Sequence, residues 1–155
     1  MRYPDLKNPF YKNHVERLCS SFHHWTGKPL LPHIKSNDDP VLALFDAPFV
    51  LVSHGTETVP IFNFGNRNAL DLFEITWEQF TRLPSKNSAD QDNQQDRAQL
   101  MAHVARHGYA LDCKGIRISA TGRRFLIEGA TVWNVIDENN HYHGQAALFD
   151  NWAYL

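Results

Sequence analysis

Val59–Pro84 reads VPIFNFGNRNALDLFEITWEQFTRLP. Val59–Phe64 is rich in β-branched and aromatic residues and predicts a short strand. Gly65 and Asn66 break it. Asn66 stands where a side chain caps a helix, and Arg67–Phe73 follows with Ala69, Leu70 and Phe73 as its buried side. Thr76 with Gln79 three residues later is a capping-box arrangement that opens a second short helix, Trp77–Leu83. Trp77 and Phe80 lie one turn apart and can both point inward. A strand, a sharp turn and two short helices thus place a dense aromatic group on one side of a sheet.

The flanking sequence supplies that sheet. Upstream, Phe49–His54 (FVLVSH) reads as an interior strand, turned into the next by Gly55-Thr56-Glu57. Leu30–Pro48 is a connector punctuated by Pro32, Pro40 and Pro48, in which Val41–Phe45 is either one helical turn or an extended piece. Before it, a helix over about Tyr11–Trp25 carries one apolar stripe, Val15, Leu18, Phe22 and Trp25, and stops at Gly27 and Pro29. Such a stripe needs cover, from the sheet or from the same helix of a partner subunit. Met1–Phe10 is expected as a loose arm that packs back through Tyr3 and Phe10.

Downstream, Ser85–Asp96 (SKNSADQDNQQD) reads as a polar surface loop. A helix over about Gln94–His107 shows Leu100, Met101 and Val104 on one side and ends at Gly108. Three strands follow: Tyr109–Ser119, where Gly115 signals a bulge or a close approach, Arg123–Ile136, with a twist or bulge near Gly129, and Tyr142–Phe149. Trp152, Tyr154 and Leu155 form an apolar tail. Arg123–Ile136 has apolar residues on both parities, so both of its faces need cover. The fold class is therefore α+β: a five-stranded antiparallel sheet with short helices on one face and the N-terminal helix packed outside. The organisation is an arm over 1–12 and one domain over 13–155, with helix 11–26 and connector 27–48 leading into the sheet.

A chain of 155 residues suits one well-buried core. Fifteen Lys and Arg against 17 Asp and Glu give a formal charge of -2, without long-range attraction for nucleic acid or an acidic membrane. Ten Phe and four Trp argue against wholesale disorder. Cys19 and Cys113 make no CxxC motif and read as two reduced thiols. The polar, proline-containing N-terminus is no signal peptide, and no run of about eighteen apolar residues predicts a membrane span. Cytoplasmic residence is the expectation.

Four segments carry a family resemblance: Asn13–Leu31 (NHVERLCSSFHHWTGKPLL), Ala47–Ser85, Gly115–Glu128 (GIRISATGRRFLIE) and Ala130–Phe149. The order of elements resembles a PAS domain. The residues resemble the MEKHLA domain family, a PAS-related group found as small stand-alone bacterial proteins and at the C-terminus of certain plant homeodomain–zipper transcription factors. The resemblance implies a PAS-like sheet and a sensory or regulatory role of the stand-alone bacterial type. It brings no settled ligand, cofactor or catalytic residue, and the chain shows no attached output domain. No short cysteine-centred photoactive motif matches, so it gives no basis for a flavin.

In such a fold the cavity lies between the sheet and the middle helices. Its expected wall is Phe62, Phe64, Phe73 and Trp77, continued by Leu70, Phe80, Leu100, Val104, Phe125, Ile127 and Trp133. Asn63 and Asn66 form the rim, with His103 beside Val104. So many aromatics suit a flat ligand, and they suit a filled core equally. Arg117, Arg123 and Arg124 flank the Thr121-Gly122 turn as a basic patch for a phosphate or carboxylate. His103 and His107 share a helix face, yet no HExxH or companion cysteine makes a metal site. Ser53, His54 and Glu57 cluster at a strand end without the GxSxG elbow of a hydrolase, and the expected use of His54 is to fix the turn. No acid, base and nucleophile set is visible. Three readings remain open: a sensory domain for a small molecule or a separate signalling protein, a homodimer joined through Val15, Leu18, Phe22 and Trp25, or a small enzyme.

Overall fold

The computed structural model describes residues 6–155. The expected packing of Tyr3 falls outside the described residues. Helix α1 runs over Pro9–Thr26. The Asn8 side chain accepts from the Phe10 amide, proline occupies the first turn, and left-handed Gly27 closes the far end by donating to the His23 carbonyl. The helix thus begins two residues before the expected Tyr11, taking in Pro9 and Phe10 of the arm. Phe10 does not pack back: it is half exposed and stacks on His14 one turn along, centroids 5.3 Å apart.

The remaining elements are α2 (Pro40–Phe45), β1 (Val50–His54), β2 (Phe62–Gly65), α3 (Arg67–Phe73), α4 (Trp77–Phe80), α5 (Gln94–His107), β3 (Tyr109–Ile118), β4 (Arg124–Ile136), β5 (Tyr142–Phe149) and β6 (Asn151–Tyr154). The sheet order is β2-β1-β5-β4-β3, every pair antiparallel, with β6 added against β4. α3 and α5 cover one face and α1 the other, as the sequence predicts, while α2 packs beside α1 and Trp77 of α4 joins the core on the α1 side. Three boundaries differ. The apolar tail is a sixth strand. α4 ends at Phe80, because the chain then turns and lies beside β2, Phe62 donating to the Leu83 carbonyl and Ser85 to the Pro60 carbonyl. The polar loop contains two 3-10 turns and buries Ser85, Ser88 and Ala89.

β4 resolves the two-parity pattern. Phe125 and Ile127 face α3; beyond Gly129, which takes φ +66°, Ala130 and Val132 face that way instead, while Trp133 and Val135 pack on the α1 side. A left-handed residue rotates the strand about its axis, and glycine adopts that conformation without steric penalty. The neighbouring strand breaks at the same level. Thr131 faces Leu148 and Glu128 faces Asn151, three residues along each strand, so the register passes from β5 to β6 with no insertion.

The α1 stripe is consumed by this sheet. Val15, Leu18 and Phe22 are buried, and Phe22 meets the Trp133 ring edge-on at 5.0 Å. The Trp133 indole donates to Ser21 Oγ at 3.1 Å, and the Trp25 indole donates to the Asn134 carbonyl at 2.9 Å. Each buried apolar side chain contributes about 1.5–3 kcal/mol. The cover that this stripe needs is thus supplied within the chain, with Val15, Leu18 and Phe22 buried and Trp25 partly so.

Candidate functional site

Between the sheet and α5 lies a cavity of about 70 Å3, continuous in its lining with an outer vestibule of about 170 Å3. Its apolar wall is drawn from many elements: Val52 of β1, Phe62 of β2, Phe73 of α3, Ile127 of β4, and Ala147 and Phe149 of β5. The alternation of β5 brings Gln145 into the same row, and β1 ends there with His54. One end of the cavity is thus polar and the rest apolar.

His54 is buried, and its Nδ1 lies 2.8 Å from Ser85 Oγ. Arg97 of α5 donates to the same hydroxyl at 2.9 Å. A guanidinium only donates, so Ser85 accepts from Arg97, and the hydroxyl keeps both its proton and a second lone pair for His54 Nδ1. Gln145 lies beside the same ring. Burial, and then the Arg97 charge, push the His54 pKa down to about 4.

Arg97 and Arg117 both line cavity and vestibule. Burial, reinforced by the charge of Arg117, pushes Arg97 down to about 10; burial also lowers Arg117. Neither forms an ion pair among the described residues. Arg117 folds back over Gly115 and donates to the Ile116 carbonyl at 2.8 Å. A Cβ at position 115 would sit 2.7 Å from its Nη1, so the glycine makes room for the guanidinium.

The expected site residues separate into two faces. Phe62, Phe73, Leu100, Ile127 and Arg117 line the cavity. Phe64 and Trp77 do not: they pack on each other at 5.7 Å in the core cluster shared with α1. Trp133 belongs to that cluster too. Phe125 and Val104 are fully buried behind the cavity wall, while His103 sits on the exposed side of α5. Asn66 is wholly structural: its Oδ1 accepts from the Ala69 and Leu51 amides, and its Nδ2 donates to the Phe49 and Leu44 carbonyls.

Asn63 likewise leaves the rim. It accepts a 2.6 Å hydrogen bond from Ser53, and Ser53 in turn faces His14 Nε2 at 2.8 Å. Ser53 and His54 therefore point to opposite sides of β1, and Glu57 instead holds the Ile61 amide. The serine proton goes to Asn63, so His14 supplies the donor and cannot serve Ser53 as a base. Burial holds His14 down to about 4 as well.

The three hairpin arginines also part company. Arg117 enters the cavity, Arg123 covers the Tyr154 ring at 3.4 Å, and Arg124 pairs with Asp90 at 3.0 Å. The hairpin itself is held by Glu74 at the end of α3, whose carboxylate accepts from Ser119 and Thr121. Among the described residues no three His, Cys, Asp or Glu side chains converge as metal ligands. No described helix is long and apolar enough to cross a membrane. Cys19 and Cys113 are free thiols.

Reading the sequence alone missed Arg97, Ser85 and Gln145. The signal for Arg97 was present: it stands at helical spacing with Leu100, Met101 and Val104, a charge on an apolar stripe. Gln145 shows the same irregularity at strand spacing, ahead of Ala147 and Phe149.

Comparison with known proteins places this geometry. The MEKHLA domain family matches over residues 12–154. Among curated proteins, the Arabidopsis thaliana homeobox-leucine zipper protein ATHB-9 is 28% identical over 129 residues, covering 83% of this chain and 14% of that protein. Others of the same kind from Arabidopsis and rice match similarly, and the chain spans only about one sixth of their length. These relatives are plant proteins and lend no support to a stand-alone bacterial type. Among solved structures, a PAS domain from Colwellia psychrerythraea superposes with a TM-score of 0.57 at 14% identity, covering 70% of this chain and 87% of that one. An RNA-binding light-oxygen-voltage receptor superposes with a TM-score of 0.64 at 12% identity, covering 79% and 36%. The fold is thus that of PAS and light-oxygen-voltage domains.

Proposed function

We propose that this chain, which belongs to the MEKHLA domain family, is a sensory or regulatory domain that receives a small molecule between its sheet and α5. The observation that carries the reading is the cavity itself: an apolar chamber with His54 and Gln145 at one end, in a fold shared with PAS domains. Polar groups placed within an otherwise apolar wall orient a ligand. Nothing in the site assembles an acid, a base and a nucleophile, so binding rather than turnover is the proposed activity.

A flavin does not fit. A chamber of about 70 Å3 is far below the roughly 300–1,000 Å3 of pockets for drug-sized ligands, and Phe62, Phe73 and Met101 would have to leave it. The proposed ligand is small. β1 offers its route outward: Val52 and His54 touch the cavity, while Ser53 between them holds His14 of α1. A ligand that moves β1 alters the seating of α1, whose outer face is exposed to a separate signalling protein. Two free thiols suit a reducing compartment such as the cytoplasm.

A thermal-shift screen of small organic molecules tests the reading, wild type against Ala130→Leu, which fills the cavity. Compounds that raise the wild-type melting temperature and leave the variant unchanged are expected. Compounds that act equally on both, or none that acts on wild type, would overturn it.

A further inference from the structure

We infer that the ligand is a small amphipathic carboxylate, its short apolar part in the inner chamber and its anionic head between Arg97 and Arg117 in the vestibule. The inference rests on the small-molecule reading above and adds the chemical class.

Two arginines stand at the boundary between chamber and vestibule without an acidic partner. Each guanidinium has five N–H donors. Among the described residues Arg97 uses one on Ser85 and Arg117 one on Ile116. No fully enclosed side-chain nitrogen or oxygen lacks a hydrogen bond among those residues, so the unused donors are those open to the cavity and vestibule. Two like charges gathered in a poorly solvated place repel each other, and an anion between them removes both costs.

The other groups facing this space agree. Lys114 adds a third positive charge to the lining, and Asp96 of α5 supplies the single carboxylate, on the vestibule side. Burial holds His54 neutral and raises the Cys113 thiol, so neither brings negative charge. The net charge around the vestibule is positive in a chain whose overall charge is -2. Inward from the arginines the wall becomes Val52, Phe62, Ile127 and Phe149. A bare inorganic anion would leave that wall unused, and a neutral apolar molecule would leave the arginines unpaired. A carboxylate on a short chain satisfies both, and its planar head matches the fork of a guanidinium. Gly115 belongs to the same arrangement, since Arg117 reaches the space only across it.

Isothermal titration calorimetry on the whole chain tests this with three probes: butanoate, 1-butanol and inorganic phosphate. Butanoate is expected to bind at least tenfold more tightly than either of the others. Arg97→Gln and Arg117→Gln should each weaken butanoate at least tenfold while leaving 1-butanol unchanged. Equal affinity for butanoate and 1-butanol would overturn the anionic head and leave the cavity reading standing. Phosphate binding as tightly as butanoate would overturn the apolar part. Binding of none of the three would remove the cavity reading as well. If the glutamine variants fail to fold, the three-probe comparison on wild type decides alone.

Discussion

His14 and His54 are the two residues whose chemistry is most altered by folding. Each is buried, each is bonded to a serine, and burial holds each near 4 rather than the ordinary 6.5. Arg17 and His143 add to the depression at His14; Arg97 adds to it at His54, against Gln145 and Glu57. A histidine depressed on folding binds its proton more readily when unfolded. Stability is therefore full above pH 6.5 and is lost as pH falls from 6.5 to 4, by about 3 kcal/mol for each ring at most. Urea midpoints measured from pH 7 to pH 4 should fall steeply across that window, and His54→Gln should flatten the slope. A midpoint independent of pH would refute the assignment of two neutral imidazoles. The sequence singled out His54 and Ser53, yet not their true partners, because His14 and Ser85 are distant along the chain. Their meeting depends on how α1 and the loop after α4 fold over opposite sides of β1.

Elements were more legible than residues. The caps at Asn66 and Thr76, the stop at Gly27 and the stripe on α1 each act within a few residues, so local chemistry declares them. The sixth strand did not show, because β6 exists only where β4 offers its pairing edge beyond the break at Gly129 and Asp150. The partner of α1 was equally hidden: an apolar stripe announces that it needs cover and not what supplies it. Its burial on Trp133 and Val135 makes a definite prediction. Phe22→Asp should destabilise the fold by about 4 kcal/mol or more, through a lost aromatic contact and a buried charge. Denaturation of the variant by urea, followed alongside its sedimentation, checks this. A variant that keeps full stability and only changes its state of association would show that α1 is an interface after all.

At the scale of the whole molecule, the sheet separates two different interiors. On the α1 side Phe22, Phe64, Trp77 and Trp133 fill the space. On the α5 side a chamber remains, with arginines at its mouth. The sequence predicted one aromatic-walled cavity because it could not divide its aromatics between faces. That division is made by the irregular pairing of β1 with β2 and by the turn of β4 at Gly129, and both are tertiary features. Methyl NMR of the chain titrated with 1-butanol tests the chamber most directly, free of any question about charge. The methyl signals of Val52, Ile127 and Val132 should move together, while those of exposed Ile34 and Leu111 stay in place. Shifts spread evenly over exposed methyls, or no shift at the chamber, would contradict a cavity that receives small molecules.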